Sequence, residues 1–324
     1  MHPELFEIPF VHLTVKSYGL MMVIGFLLAV AVIRRLSRDI TPNPQLITNA
    51  ALYSLIGGVA GARLFYVVHY FDDFRDNLLS VFAIWKGGLE LLGGVILAII
   101  IIFFYLLYHK LPVRRYLDIL AIGLMLALVF GRIGCFLNGC CYGKPTHFPL
   151  AVRFPYNSFA YNSQVNPNPA RNKPTARLQL PNEYFSYTGK DGVRYLKPFE
   201  DLTQHQEEFL KANDQVRSLP VHPTQLYESG GAAVLCLLLY LFWRRVQNAD
   251  SSGSPNRFLA RPGQTFGLMF ILYAITRFFI EFLRDDNPFE FDGLTVSQLI
   301  AVAMLAFGLI LIVIFQRMRT EQPK

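Results

Sequence analysis

The sequence predicts an all-α polytopic membrane protein with seven transmembrane helices, and three observations carry that prediction. Apolar residues make up 53% of the chain and charged ones only 16%, well below the roughly 25% of an average soluble domain. Apolar runs close to the ~20 residues that cross a bilayer core recur along its length. Basic residues gather at alternate ends of those runs, the asymmetry that orients membrane helices.

The runs lie at about 17–34, 50–70, 90–108, 116–138, 223–243, 265–284 and 294–315. The first opens on Tyr18 in SYGLMMVIGF and ends at Arg34, Arg35 and Arg38. Gly57, Gly58 and Gly61, with Ala60 and Ala62, give the second the small-residue spacing of closely packed membrane helices, and Arg63 follows at once. GGLELLGG, with Glu90, leads into the third, which ends before Lys110, Arg114 and Arg115. The fourth carries Arg132 near its end. The fifth begins in HPTQLYE, with His222 and Glu228, holds Cys236 and stops at Arg244 and Arg245. Arg277 and Glu281 lie in the sixth; the seventh follows GLTVSQ and ends at Arg317, Arg319 and Lys324.

Counting Arg257 and Arg261 as well, thirteen basic residues follow the odd-numbered spans, against Lys16, Arg75, Lys86 and Arg284 at the opposite ends. The positive-inside rule therefore places the N-terminus outside and the C-terminus in the cytoplasm. MHPELFEIPF lacks the basic start of a cleavable signal peptide. The net charge of +7 reads as basic loops facing anionic lipid rather than as a nucleic-acid surface. The whole chain, 1–324, forms one membrane domain. Inserted in it is 144–221, 78 residues rich in Pro, Asn and Tyr, expected to be an extracytoplasmic cap with little regular structure beyond a hairpin around Asp191–Gly192. Segment 247–264, with SSGSPN, reads as a flexible cytoplasmic linker.

Ionisable groups inside spans are costly and mark sites or pathways. With this orientation Tyr18, Arg63, Glu90, Arg132, His222, Glu228, Arg277 and Glu281 all fall in the outer half of the membrane, where one cavity holds them. Arg277 and Glu281 stand one helical turn apart and read equally as a structural ion pair. Three arginines gathered in one leaflet, Arg63, Arg132 and Arg277, are more than the few nearby carboxylates need. That surplus suggests an anionic guest, and a lipid phosphate suits guanidinium geometry.

These blocks resemble the prolipoprotein diacylglyceryl transferase family of bacterial membrane enzymes. GRIGCFLNGCCYG at 131–143 is similar to the family signature Gly-Arg-Ile-Gly-Asn-Phe-x-Asn-Gly-Glu-x-x-Gly. HPTQLYES at 222–229 and YAITRFFIEFLRDD at 273–286 resemble its His-Pro-Ser/Thr-Gln-Leu-Tyr-Glu and Tyr-x-x-x-Arg-Phe-x-x-Glu-x-x-Arg blocks. SYGLMMVIGF, GARLFYVV and GLTVSQ match its first two spans and its last, and the ordered set covers nearly all the chain outside 150–218. The resemblance implies seven spans in the bacterial cytoplasmic (inner) membrane, with the active site toward the extracytoplasmic leaflet. It implies transfer of the diacylglyceryl group of phosphatidylglycerol to the lipobox cysteine of a prolipoprotein signal peptide, with glycerol 1-phosphate leaving, and no metal, cofactor or nucleic acid. By motif position Arg132 corresponds to a phospholipid-binding arginine and Arg277 to a second essential one. Glu281 orients Arg277, and His222 is a candidate base. Tyr18, Arg63, Asn138, Gly143, Tyr273 and Arg284 complete the phosphatidylglycerol-binding set.

Three positions depart from the pattern. Cys135 and Cys140 replace the signature's Asn and Glu, and Leu92 stands where the family often has a histidine that would serve as base. Glu90 and His222 are the substitutes, although a thiol of pKa ~8.5 is already a few per cent ionised at pH 7 and needs little help. The three clustered cysteines read as buried packing, as half of a zinc set with no second pair, or as thiols open to disulfide chemistry. Two other functions stay in view: a catalytically altered family member that binds or transports lipid, and a thiol-redox or metal-binding membrane protein.

Overall fold

The computed structural model describes residues 4–8, 13–75, 77–83, 87–171, 173–189, 192–251, 261–287, 289–291 and 293–318. Lys86, Asp191, Arg257, Arg319, Lys324 and residues 252–260 of the 247–264 linker lie outside the described residues. Nine helices are described: α1 (Ser17–Leu36), α2 (Gln45–His69), α3 (Leu91–Tyr108), α4 (Val113–Asn138), α5 (Phe159–Val165), α6 (Gln204–Ala212), α7 (Thr224–Ser251), α8 (Gln264–Ile280) and α9 (Val296–Arg317). All but the short α5 and α6 are long and apolar enough to cross a membrane, which makes seven candidate spans. Each overlaps an apolar run of the sequence. The largest difference is α7, which runs to Ser251 rather than stopping near 243, and α2 starts at Gln45 rather than near 50, because backbone hydrogen bonding carries a helix past the end of its apolar stretch.

Glycine decides which helices touch. A Cβ on Gly61 would lie 2.5 Å from the carbonyl oxygen of Gly93, and one on Gly94 would lie 2.8 Å from that of Gly58. The small-residue spacing of α2 thus serves close packing against α3. Gly267 of α8 and Gly308 of α9 meet in the same way, a Cβ on Gly308 standing 2.9 Å from the Gly267 oxygen. Ile119, Ile122, Leu239, Trp243 and Met269 form the core where α4, α7 and α8 converge. The outer faces stay apolar and exposed, as at Leu27, Ile56 and Leu91, the distribution expected of helices solvated by lipid.

One buried carboxylate sets the start of α8. Asp118 of α4 accepts the backbone N–H of Gly263 (2.7 Å) and of Phe266 (3.0 Å), so a helix-terminal donor pair is capped from another helix. Asp118→Ala would leave both donors buried without an acceptor, a loss of about 1–3 kcal/mol for each such group. A lowered unfolding midpoint in detergent, at unchanged helix content, is the expected result; an unchanged midpoint would show the cap to be dispensable.

Segment 144–221 is more ordered than its composition suggested. β3 (Phe185–Thr188) pairs antiparallel with β4 (Arg194–Leu196) across Gly192, after the hairpin β1 (Glu4–Ile8) and β2 (Leu13–Lys16) that precedes α1. Ser158 caps α5 and a Thr203–Gln206 capping box starts α6. Tyr161, Val165, Tyr184 and Leu210 are fully buried in a core of its own. Proline and asparagine forbid long helices there, but the tyrosines supply enough apolar area to bury. Lys173 and Arg177 reach Asp285 just beyond α8 at 2.5 and 2.8 Å, tying the segment to the bundle. Burial pushes the Lys173 ammonium below the usual lysine range, against the pull of Asp285.

Candidate active site

The three sequence blocks meet at one end of the bundle, and backbone geometry brings them there. α4 ends in a left-handed Gly139 (φ 78°), with Gly139 N–H donating to Phe136 O and Cys140 N–H to Cys135 O. This is a Schellman turn, and it reverses the chain. Buried Gln225 and Thr224 of the HPTQ segment then hold the carbonyls of Cys140 and Cys141 at 2.6 and 2.7 Å. Gly143 N–H donates to His222 O, Lys144 N–H to Leu283 O, and Asp285 N–H to Tyr142 O. A Cβ on Gly143 would stand 2.7 Å from the Cβ and carbonyl oxygen of His222 and 2.9 Å from Leu283 O. Glycine is required here by close approach rather than by its dihedral angles. Gly143→Ala should therefore pry the three segments apart, lowering turnover at the site at least ~10-fold, the size of loss expected from sub-ångström misplacement. Helix content should stay unchanged; full turnover would show that the seam relaxes freely.

Around this seam stand three arginines and three carboxylates. Glu228 of α7 is the hub: Arg132 Nε lies 2.7 Å from one of its oxygens, and Arg284 Nη1 and Arg277 Nη1 lie 3.3 and 3.8 Å from the other. Arg277 also meets Glu281 at 2.7 Å and donates to Ser297 Oγ at 2.9 Å. Glu281 is itself gripped by Thr295 Oγ1 (2.9 Å) and Asn287 Nδ2 (2.5 Å). Asp286 takes two hydrogen bonds from Arg284.

The expected surplus of guanidinium is thus corrected: three arginines face three carboxylates, and the cluster is formally neutral. What it offers an anion is unused donors. The Arg132 Nε–H is close to Glu228 but has no aligned acceptor among the described residues, and neither has the Nη1 of Arg277. A cavity of about 390 Å³ opens beside the cluster between α7 and α8. Glu228, Tyr273 and Arg277 line it with apolar Leu128, Ile275 and Phe279.

The other candidates divide. Tyr18 packs on Gly134 and lies within electrostatic reach of Arg132. Tyr273 shares the cavity wall. The Nδ1 of His222 is 3.5 Å from the hydroxyl of Tyr227, another wall residue. Asn138 ends α4 and lines a separate cavity with Phe154 and Tyr156. Arg63 is not brought to the cluster by any described ion pair or hydrogen bond. Its Nε, Nη1 and Nη2 donate to the carbonyls of Val81, Gly87, Gly88 and Ser80 at 2.7–2.9 Å, so it braces the loop between α2 and α3. Glu90 pairs instead with His69 at 2.8 Å, and Leu92 is exposed on α3. Glu228 is the residue that sequence reasoning undervalued. It was visible as a carboxylate opening an apolar span, but only the fold shows that three arginines share it.

Comparison with known proteins bears on this site. The family profile described as prolipoprotein diacylglyceryl transferase matches residues 3–314. A Clostridium tetani protein named phosphatidylglycerol–prolipoprotein diacylglyceryl transferase is 26% identical over 309 residues, covering 95% of this chain and 96% of its own. Proteins of the same name are similar from Buchnera aphidicola (29% over 305 residues, 91% and 90%) and Synechococcus elongatus (25% over 311 residues, 96% and 87%).

Proposed function

The chain belongs to the prolipoprotein diacylglyceryl transferase family, and we propose from that premise that it transfers the diacylglyceryl group of phosphatidylglycerol to the lipobox cysteine thiol of a prolipoprotein. The observation that carries the reading is the buried guanidinium of Arg132, whose Nε–H finds no aligned acceptor among the described residues, beside Glu228, which lines an apolar cavity together with Arg277. A phosphodiester headgroup fits such a fork, with its acyl chains against the cavity's apolar wall.

The reaction forms a C–S bond and breaks the bond from the same glycerol carbon to the phosphate oxygen. Glycerol 1-phosphate departs with that electron pair, and the thiol proton ends on the phosphate or in solvent, so the stoichiometry demands no dedicated base. Arg132 holds the phosphate in the ground state. Arg277 supplies positive charge as the leaving oxygen develops negative charge, the kind of preorganised stabilisation that is strongest out of water. Glu281, fixed by Thr295 and Asn287, positions Arg277. His222 stands ready beyond Tyr227 as a proton acceptor.

The same reading places the arginine cluster in the extracytoplasmic half of a bacterial inner membrane, with the N-terminus and the 144–221 cap outside. The basic residues that follow the odd-numbered spans support that orientation. The cap, latched through Asp285, then lies over the site where a signal peptide arrives. The test is complementation of a transferase-depleted bacterium, paired with transfer of labelled phosphatidylglycerol to a lipobox peptide by the purified chain. Growth with labelled peptide is the expected result. A chain that binds the lipid yet labels no peptide would sink the reading.

A further inference from the structure

Cys135, Cys140 and Cys141 converge: their sulfur atoms all lie within 4.8 Å of one another. The reason lies in the turn that ends α4. In a Schellman motif the residues bridged by the outer hydrogen bond, here Cys135 and Cys140, bring their side chains together, and that contact is ordinarily apolar. Two cysteines there would be unremarkable, since a free thiol packs as a small hydrophobe. The third thiol is not explained in this way. Cys141 adopts a left-handed backbone (φ 59°) that a non-glycine residue takes up only at a cost of about 1–2 kcal/mol. This conformation accompanies the meeting of its sulfur with the other two.

The platform is rigid. Carbonyls of both Cys140 and Cys141 are clamped by fully buried side chains, Gln225 and Thr224. Cys135 is buried and the other two half-buried, and no disulfide joins them. Sulfurs around one tetrahedral zinc-sized ion stand ~3.8 Å apart, given a metal–sulfur bond near 2.3 Å. Small side-chain rotations within the observed 4.8 Å envelope reach that spacing.

We propose that Cys135, Cys140 and Cys141 form a binding site for one soft, thiophilic metal ion of the Zn(II) or Cu(I) class, with three thiolate ligands and an open fourth position. Thiolates select such ions over hard cations, and each thiol gives its proton to solvent as the ion binds. Tyr18 lies within electrostatic reach of all three thiols and of Arg132, so a bound ion sits against the arginine cluster. The site is therefore one through which a soft metal would inhibit diacylglyceryl transfer. That consequence rests on the transferase reading; the binding does not.

The experiment is titration of the reduced full-length chain in detergent with Cd(II), read by thiolate-to-cadmium charge-transfer absorption. One ion per chain is expected, displaced by Zn(II) or by Cu(I), and the order of displacement tells which is preferred. Cys135→Ser, Cys140→Ser and Cys141→Ser should each weaken binding at least ~10-fold, whereas Cys236→Ser should leave it unchanged, its thiol contacting Ile122 O elsewhere on the bundle. No saturation at one ion per chain, or full affinity in Cys140→Ser, would overturn the proposal. Should the serine variants fold poorly, the wild-type chain decides: bound Cd(II) should slow alkylation of all three cysteines, and unchanged alkylation rates would overturn it equally.

Discussion

Arg132→Ala should abolish most diacylglyceryl transfer while leaving the protein folded. Loss of one preorganised donor to a developing oxyanion typically costs ~10²–10³ in turnover, and the buried Arg132 guanidinium, its Nε–H unmatched among the described residues, is such a donor. The fold should survive, because among the described residues the ion pair Arg132 makes is to Glu228, a carboxylate still faced by Arg284 and Arg277 after the change, although removing one charge from a neutral buried cluster lowers the unfolding midpoint. Arg132→Lys keeps the charge but loses the planar fork, so it should restore headgroup binding more than turnover. The measurement is steady-state transfer from labelled phosphatidylglycerol to a lipobox peptide, alongside an unfolding midpoint. Near wild-type turnover in Arg132→Ala would remove the phosphate role from this residue. Lost turnover with a collapsed midpoint would make Arg132 structural instead.

Much of this was legible without coordinates, for a physical reason. A span must be apolar for ~20 residues and an arginine inside it is expensive, so the spans and Arg132, Arg277 and Glu281 stand out against their background. What stayed hidden was pairing. Arg63 and Arg132 look alike in sequence, each an arginine late in an apolar run. Arg63 meets backbone carbonyls of a loop that begins some residues beyond its own helix, and nothing in residue types reports that. Thr295, Asn287 and Ser297 bear no charge, so their hold on Glu281 and Arg277 left no signal. Segment 144–221 misleads for the opposite reason: Pro and Asn advertise loop, while its buried tyrosines advertise nothing until they meet. The meeting of the three cysteines left no signal either, because it depends on the left-handed backbone of Gly139 and Cys141.

Glu228→Gln should destabilise the free protein and yet tighten its grip on anions. The wild-type cluster holds three positive and three negative charges with little access to water. Removing one negative charge leaves a buried excess of guanidinium, and breaking a buried pair in this way costs about 3–5 kcal/mol. Glutamine keeps the shape and one carbonyl acceptor, so packing is not the source of the loss. A phosphate that enters the cluster supplies the missing charge, and linkage then returns stability in proportion to binding. The unfolding midpoint of Glu228→Gln should therefore start below wild type and rise more steeply as phosphatidylglycerol or glycerol 1-phosphate is added. Turnover should fall all the same, because a tighter ground state and product complex does nothing for the transition state and Arg277 loses one of its two carboxylates. KM and kcat should drop together in the transfer assay. Equal ligand-induced shifts in the two proteins would mean that Glu228 does not compete with the substrate phosphate for these arginines, and the cluster would then be a structural network beside the real site.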